Sequence, residues 1–153
     1  MHVPTDFDLG LWVAGLGPRL GAAQVSEFEG ATWLLLFEGE QALAIEHDPD
    51  RALLVLTAVL GKPPPGGEAA AYRLLLEVSA LWRQTAGLRM AIDPDEGDVI
   101  QLCDFSLSGM DIDRLESSVR RFIELAGVVR QQLQVLGTDD EIEAMRPSEF
   151  VRV

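Results

Sequence analysis

Residues 33–37 read Trp33-Leu34-Leu35-Leu36-Phe37, five apolar side chains in a row within a chain of net charge −13. The flanks say what kind of element this is. Glu38-Gly39-Glu40 supplies a tight turn, and residues 41–46 (QALAIE) return at strand length. His47-Asp48-Pro49-Asp50 has turn chemistry and leads into residues 51–60 (RALLVLTAVL). Three short apolar runs joined by short turns predict an antiparallel meander over 32–37, 41–46 and 51–60.

Side chains alternate between the two faces along a strand. Trp33, Leu35 and Phe37 therefore share one face, and Leu34 and Leu36 the other. In the second strand Leu43 and Ile45 oppose Ala42 and Ala44. In the third, Leu54, Leu56, Ala58 and Leu60 oppose Leu53, Val55, Thr57 and Val59. A sheet with one wet face shows a polar residue at every second place. Here both faces are apolar, so both need a cover. Either the monomer or a dimer buries them, or one face is kept for another protein, as large apolar patches imply.

Outward from the meander, residues 5–21 are predicted helical. Leu9, Trp12, Leu16 and Leu20 form a stripe, with Phe7 and Leu11 beside it. Thr5 or Asp6 caps the start, while Gly10, Gly15, Gly17 and Pro18 weaken the rest. Residues 61–67 (GKPPPGG) form a loop. A second helix is predicted over 68–84, on Leu74 or Leu75, Val78, and Leu81 or Trp82. Two more strands follow at 88–93 and 98–104, joined by Pro94-Asp95-Glu96-Gly97. The last helix spans 111–136, where Ile112, Leu115, Val119, Phe122, Ala126, Val129, Leu133 and Leu136 keep a three-four rhythm. Asp111 is its predicted N-cap and Gly137 the residue that stops it. Residues 138–153 are polar and aperiodic, a predicted mobile tail behind a single domain of residues 1–137. The order is α-βββ-α-ββ-α, an α+β fold with a twisted antiparallel sheet flanked by helices.

The 153 residues suffice for one domain with a real core, and 48% apolar against 24% charged residues marks a folded chain. Twenty-five Asp and Glu against 12 Lys and Arg would repel a phosphate backbone or an anionic bilayer, so neither nucleic acid nor membrane is an expected partner. One cysteine cannot staple the fold, and the opening MHVPTDFD lacks the build of a signal peptide; a bacterial cytosol is the expected location.

The chain offers little for catalysis. Its two histidines, His2 and His47, fall in a terminus and a turn, without a constellation around them. Residues 15–21 (GLGPRLG) carry three residues where a dinucleotide fingerprint needs two, and no strand precedes them. Residues 93–98 (DPDEGD) miss the glycine and glutamate places of a calcium loop and make a good hairpin turn instead. Cys103 within a strand is expected to be a buried, inert thiol. No enzyme activity, metal or cofactor is expected.

Several local motifs resemble those of class I type III secretion chaperones, the small acidic dimers that include the Tir chaperone. Residues 7–21 resemble that family's first helix with its closing Leu-Gly. Residues 59–63 (VLGKP) resemble the turn after its third strand, and 74–82 its leucine-rich second helix. Residues 98–102 (DVIQL) followed by Phe105-Ser106-Leu107 resemble its fifth strand and the step before the last helix. Ser106 stands where proline is common, Ala80 where asparagine is, and Gly15, Gly17 and Pro18 are unusual in the first helix. The resemblance implies a homodimer whose interface carries Leu74, Val78, Leu81, Trp82 and Met90. It also implies a partner, the N-terminal segment of a secreted effector held in extended form. Phe7, Leu11, Leu34, Leu36, Ala42, Ala44, Val55 and Thr57 are its expected contacts, and the secretion ATPase or sorting apparatus is a further candidate partner. The alternative is a YbjN-like interaction module of the same fold with no secretion role.

Overall fold

A computed structural model of the chain describes residues 3–136. His2, the predicted stop at Gly137 and the predicted tail at 138–153 lie outside them. The elements run α1 (Asp6–Arg19), β1 (Gln24–Phe28), β2 (Thr32–Phe37), β3 (Gln41–Asp48), β4 (Leu53–Gly61), α2 (Glu68–Ala80), β5 (Arg89–Ile92), β6 (Val99–Ser106) and α3 (Ile112–Val135). The fold is α+β, with six strands in the order β1-β2-β3-β4-β6-β5. The pairs β1–β2, β2–β3, β3–β4 and β5–β6 are antiparallel. No described helix is long and apolar enough to cross a membrane.

One strand more is present than the sequence predicts. β1 occupies residues that show no apolar alternation, because it is an edge strand and mostly exposed. Polar side chains such as Gln24, Ser26 and Glu27 are normal on such an edge.

Two compact units divide the described residues: 3–58 with 104–122, and 59–103 with 123–136. In the first, the register joins Trp33 to Ile45 and Ile45 to Leu56, and joins Leu35 to Leu43 and Leu43 to Ala58. All six of these side chains are buried. Phe37, at the strand end, is only half-buried. α1 packs on this face. Its buried residues are Leu9, Val13, Leu16 and Gly17, so the stripe is turned from the expected one, and Trp12 and Leu20 are half-buried. Thr5 caps α1 in a capping box: its hydroxyl accepts from the Asp8 N–H, and the Asp8 carboxylate accepts from the Thr5 N–H. Asp6 in the first turn pairs with Nδ1 of His47 on β3, a link from the helix start to the sheet.

Gly17 explains why the helix tolerates a glycine near its end. A β-carbon there would lie 2.2 Å from Cγ2 of Val25 on β1. The missing side chain lets the helix approach the strand.

In the second unit α2 ends at Ala80, earlier than the sequence predicts, and packs along β5. The Met90 N–H donates to Ser79 Oγ at 3.0 Å. The Asp93 carboxylate accepts from the N–H groups of Asp95 and Glu96, so the acidic run serves its own turn. Lys62 pairs with Asp98 at 3.6 Å, which ties the loop after β4 to that turn.

α3 starts as predicted. Asp111 Oδ1 accepts from the Arg114 N–H at 2.8 Å. The buried residues Leu115, Val119, Phe122, Ala126, Val129, Leu133 and Leu136 match the expected stripe, with Leu125 added and Ile112 only half-buried.

Candidate protein-binding surface

The first unit keeps two apolar surfaces, one on each side of its sheet. On one side the register sets Leu34 opposite Ala44, Ala44 opposite Thr57, Leu36 opposite Ala42, and Glu46 opposite Val55. The six residues expected here, Leu34, Leu36, Ala42, Ala44, Val55 and Thr57, share this face, and all are half-buried. β1 extends the face: Ser26 lies opposite Leu34 and Phe28 opposite Thr32, and Phe28 is exposed.

The other surface belongs to α1. Phe7 is 75% exposed and Leu11 58%. Ala14 and Pro18, also exposed, continue the line at steps of three and four. Gly10 lies beside Trp33 and Gly17 beside Val25, so α1 sits on the Trp33 side of the sheet. Phe7 and Leu11 are therefore not in one patch with Leu34 and Leu36; the sheet lies between them.

The edge strand borders both surfaces. A groove of about 340 Å³ opens beside it, lined by Gly10, Ala14 and Pro18 of α1, Val25 and Glu27 of β1, and Trp33. Val25 and Glu27 point to the helix side, because they oppose Leu35 and Trp33, whereas Ser26 and Phe28 point to the Leu34 side. An extended chain laid along β1 would send alternate side chains into the groove and over the Leu34 face. None of these β1 residues was legible as a site, since the strand itself was not.

In the second unit, Leu74 is 7% exposed and Val78 1%, so both are turned into the unit's own core. Leu81 and Met90 are half-buried. The apolar side chains that α2 and its neighbourhood present outward are Tyr72, Leu76 and Trp82, with Leu76 73% exposed. Arg83 stacks its guanidinium over the Trp82 ring, 5.0 Å from the centroid. Ile92 of the terminal strand β5 is exposed as well.

Reactive groups are tied into the structure. His47 pairs with Asp6, and the buried Cys103 thiol donates to the Ala86 carbonyl at 3.4 Å. Among the described residues no cluster of three or more His, Cys, Asp or Glu could hold a metal ion. Glu116 on α3 accepts from Arg120 at 2.9 Å and from Arg19 at 3.0 Å, and these bonds hold its carboxyl below the ordinary value.

A family model described as the Tir chaperone protein (CesT) family matches residues 12–130. The chain belongs to the Tir chaperone protein family. The match includes the meander, the whole of β1, and the groove from Ala14 onward; Phe7 and Leu11 precede it. Solved structures of similar fold agree. A chain of the ExsC–ExsE complex superposes with a TM-score of 0.70 at 18% identity, covering 84% of this chain and 95% of that one. A chain of the HopA1–SchA chaperone–effector complex gives 0.61 at 16% identity, covering 84% and 99%. The Yersinia pestis type III secretion chaperone structure, SycH with a fragment of YscM2, gives 0.51 at 12% identity, covering 78% and 97%. Comparison with curated proteins gives no match. The Tir chaperone fold thus spans both units of this chain.

Proposed function

We propose that the chain is a type III secretion chaperone that binds the N-terminal segment of a secreted effector and keeps it soluble and partly unfolded. Family membership supports the chaperone class. The observation that carries the binding mode is the meander with apolar side chains on both faces, ending at the uncovered edge of β1. An added strand gains main-chain pairing from such an edge, and its side chains find pockets on the two faces. Each buried leucine-sized anchor contributes about 1.5–3 kcal/mol. Ordering a disordered segment costs about 2–5 kcal/mol or more, so several anchors must be filled at once.

The active form in this reading is a cytoplasmic homodimer, and no catalytic step belongs to it. The exposed Tyr72, Leu76 and Trp82, together with the half-buried Leu81 and Met90, supply the dimer contact. The acidic surface keeps the dimer in solution while the effector site is empty. Co-expression with the secreted protein encoded beside the chain, followed by co-purification and sizing, tests the reading. A stable complex is expected, lost when Leu34→Glu and Leu36→Glu are combined. A complex that survives both substitutions removes that face from the site.

A further inference from the structure

The groove beside β1 also states which segments it accepts. Gln24, Val25 and Glu27 of β1 line it, and of these Val25 and Glu27 point to the helix side, two residues apart. The lining toward Val25 is apolar, with Ala14, Pro18 and Ala22, whereas Trp33 stands opposite Glu27. Glu27 is different. It is exposed, and among the described residues its carboxylate has no hydrogen bond or ion pair. Its carboxylate leans toward Gly10, where a β-carbon would lie 3.9 Å from Oε1, so the charge borders the groove.

A strand added along β1 sets its own side chains opposite these two, again two residues apart. We infer that the groove selects an extended segment in which an apolar residue and a Lys or Arg stand two places apart, the apolar side chain entering beside Val25 and the cation meeting Glu27. This rests on the reading that β1 receives an extended chain, and it names that chain's chemistry. The net charge of −13 acts in the same direction at longer range, drawing basic segments to the chain and repelling acidic ones. An opposite charge across neighbouring strands adds to binding, and a like charge subtracts.

The test uses a displayed library of random decapeptides, selected on the full chain and on Glu27→Lys. Selected peptides are then titrated on both proteins and on Ala14→Arg, which fills the groove from the exposed side of α1. The wild type is expected to enrich apolar and basic residues at a spacing of two. Exchanging the basic residue for Glu should weaken binding up to about fivefold, the range of a partly exposed ion pair. On Glu27→Lys the preference should reverse, and 300 mM salt should shrink it on both proteins. Peptides that lose binding on Ala14→Arg, yet show the same charge preference on the wild type and on Glu27→Lys, overturn the role of Glu27 and leave the groove as the site. Peptides that bind Ala14→Arg as well as they bind the wild type, or a library that enriches nothing, overturn the groove and the inference together.

Discussion

Gly17 of α1 lies so close to Val25 of β1 that a β-carbon at residue 17 would come within 2.2 Å of Val25 Cγ2. That contact seats the end of the helix on the edge strand, and the groove at the edge depends on the seating. Gly17→Ala should therefore destabilise the chain by about 1–3 kcal/mol, the range of overpacked sites, although alanine is the better helix former. Urea unfolding measures it. Adding Val25→Ala should recover part of the loss; a double variant no more stable than Gly17→Ala places the strain elsewhere.

Glu116 sets an acid limit on the packing of α3 against α1. Its hydrogen bonds to Arg120 and Arg19 lower its pKa from 4.5. A carboxyl depressed in the folded state adds stability above its unfolded value, and that contribution is lost as pH falls through the folded value. Glu116→Gln should thus lower Tm at pH 7, and the difference should shrink as pH falls below the ordinary carboxylate range. Melting curves across pH compare the two chains. An equal offset at both ends would assign the effect to packing.

Leu76 tests the dimer contact with the least risk to the fold, because it is 73% exposed in the single chain. Leu76→Glu costs a monomer little, whereas in an interface it buries an unpaired charge. Light scattering at micromolar concentration should show a dimer for the wild type and a monomer for the variant. A dimer in both would move the contact away from this face of α2.

How much of this was legible in the sequence differs from element to element. Alternation in WLLLF separated Trp33 and Leu35, both buried, from Leu34 and Leu36, both half-buried. The period of a strand leaves only two faces to choose between, and the turns flanking the run fixed the pairing. β1 was hidden because an edge strand needs no apolar face, and Gln24, Ser26 and Glu27 give none. α1 was found, but its buried stripe runs through Val13 where Trp12 was expected. With Leu9 and Leu16 common to both stripes, spacing cannot rank two neighbours that differ by about 100° around the axis. The run Leu74-Leu75-Leu76 in α2 offers leucines to more than one direction, and only packing shows that Leu74 and Leu75 turn inward while Leu76 turns out. The groove was beyond reach for another reason. It joins residues of α1 to a strand absent from the sequence-level order, and its wall at Gly10 carries no side chain.

The most direct measurement of the central claim is amide hydrogen exchange on the chain, alone and in complex with a co-purified secreted protein. An edge strand exchanges readily when its outer main-chain groups face water, and a strand added to it protects them. The expected result is slowed exchange across Gln24–Phe28 in the complex, with a smaller effect in β2. Exchange at Gln24–Phe28 that stays unchanged while the complex is intact would contradict capture of the effector at this edge.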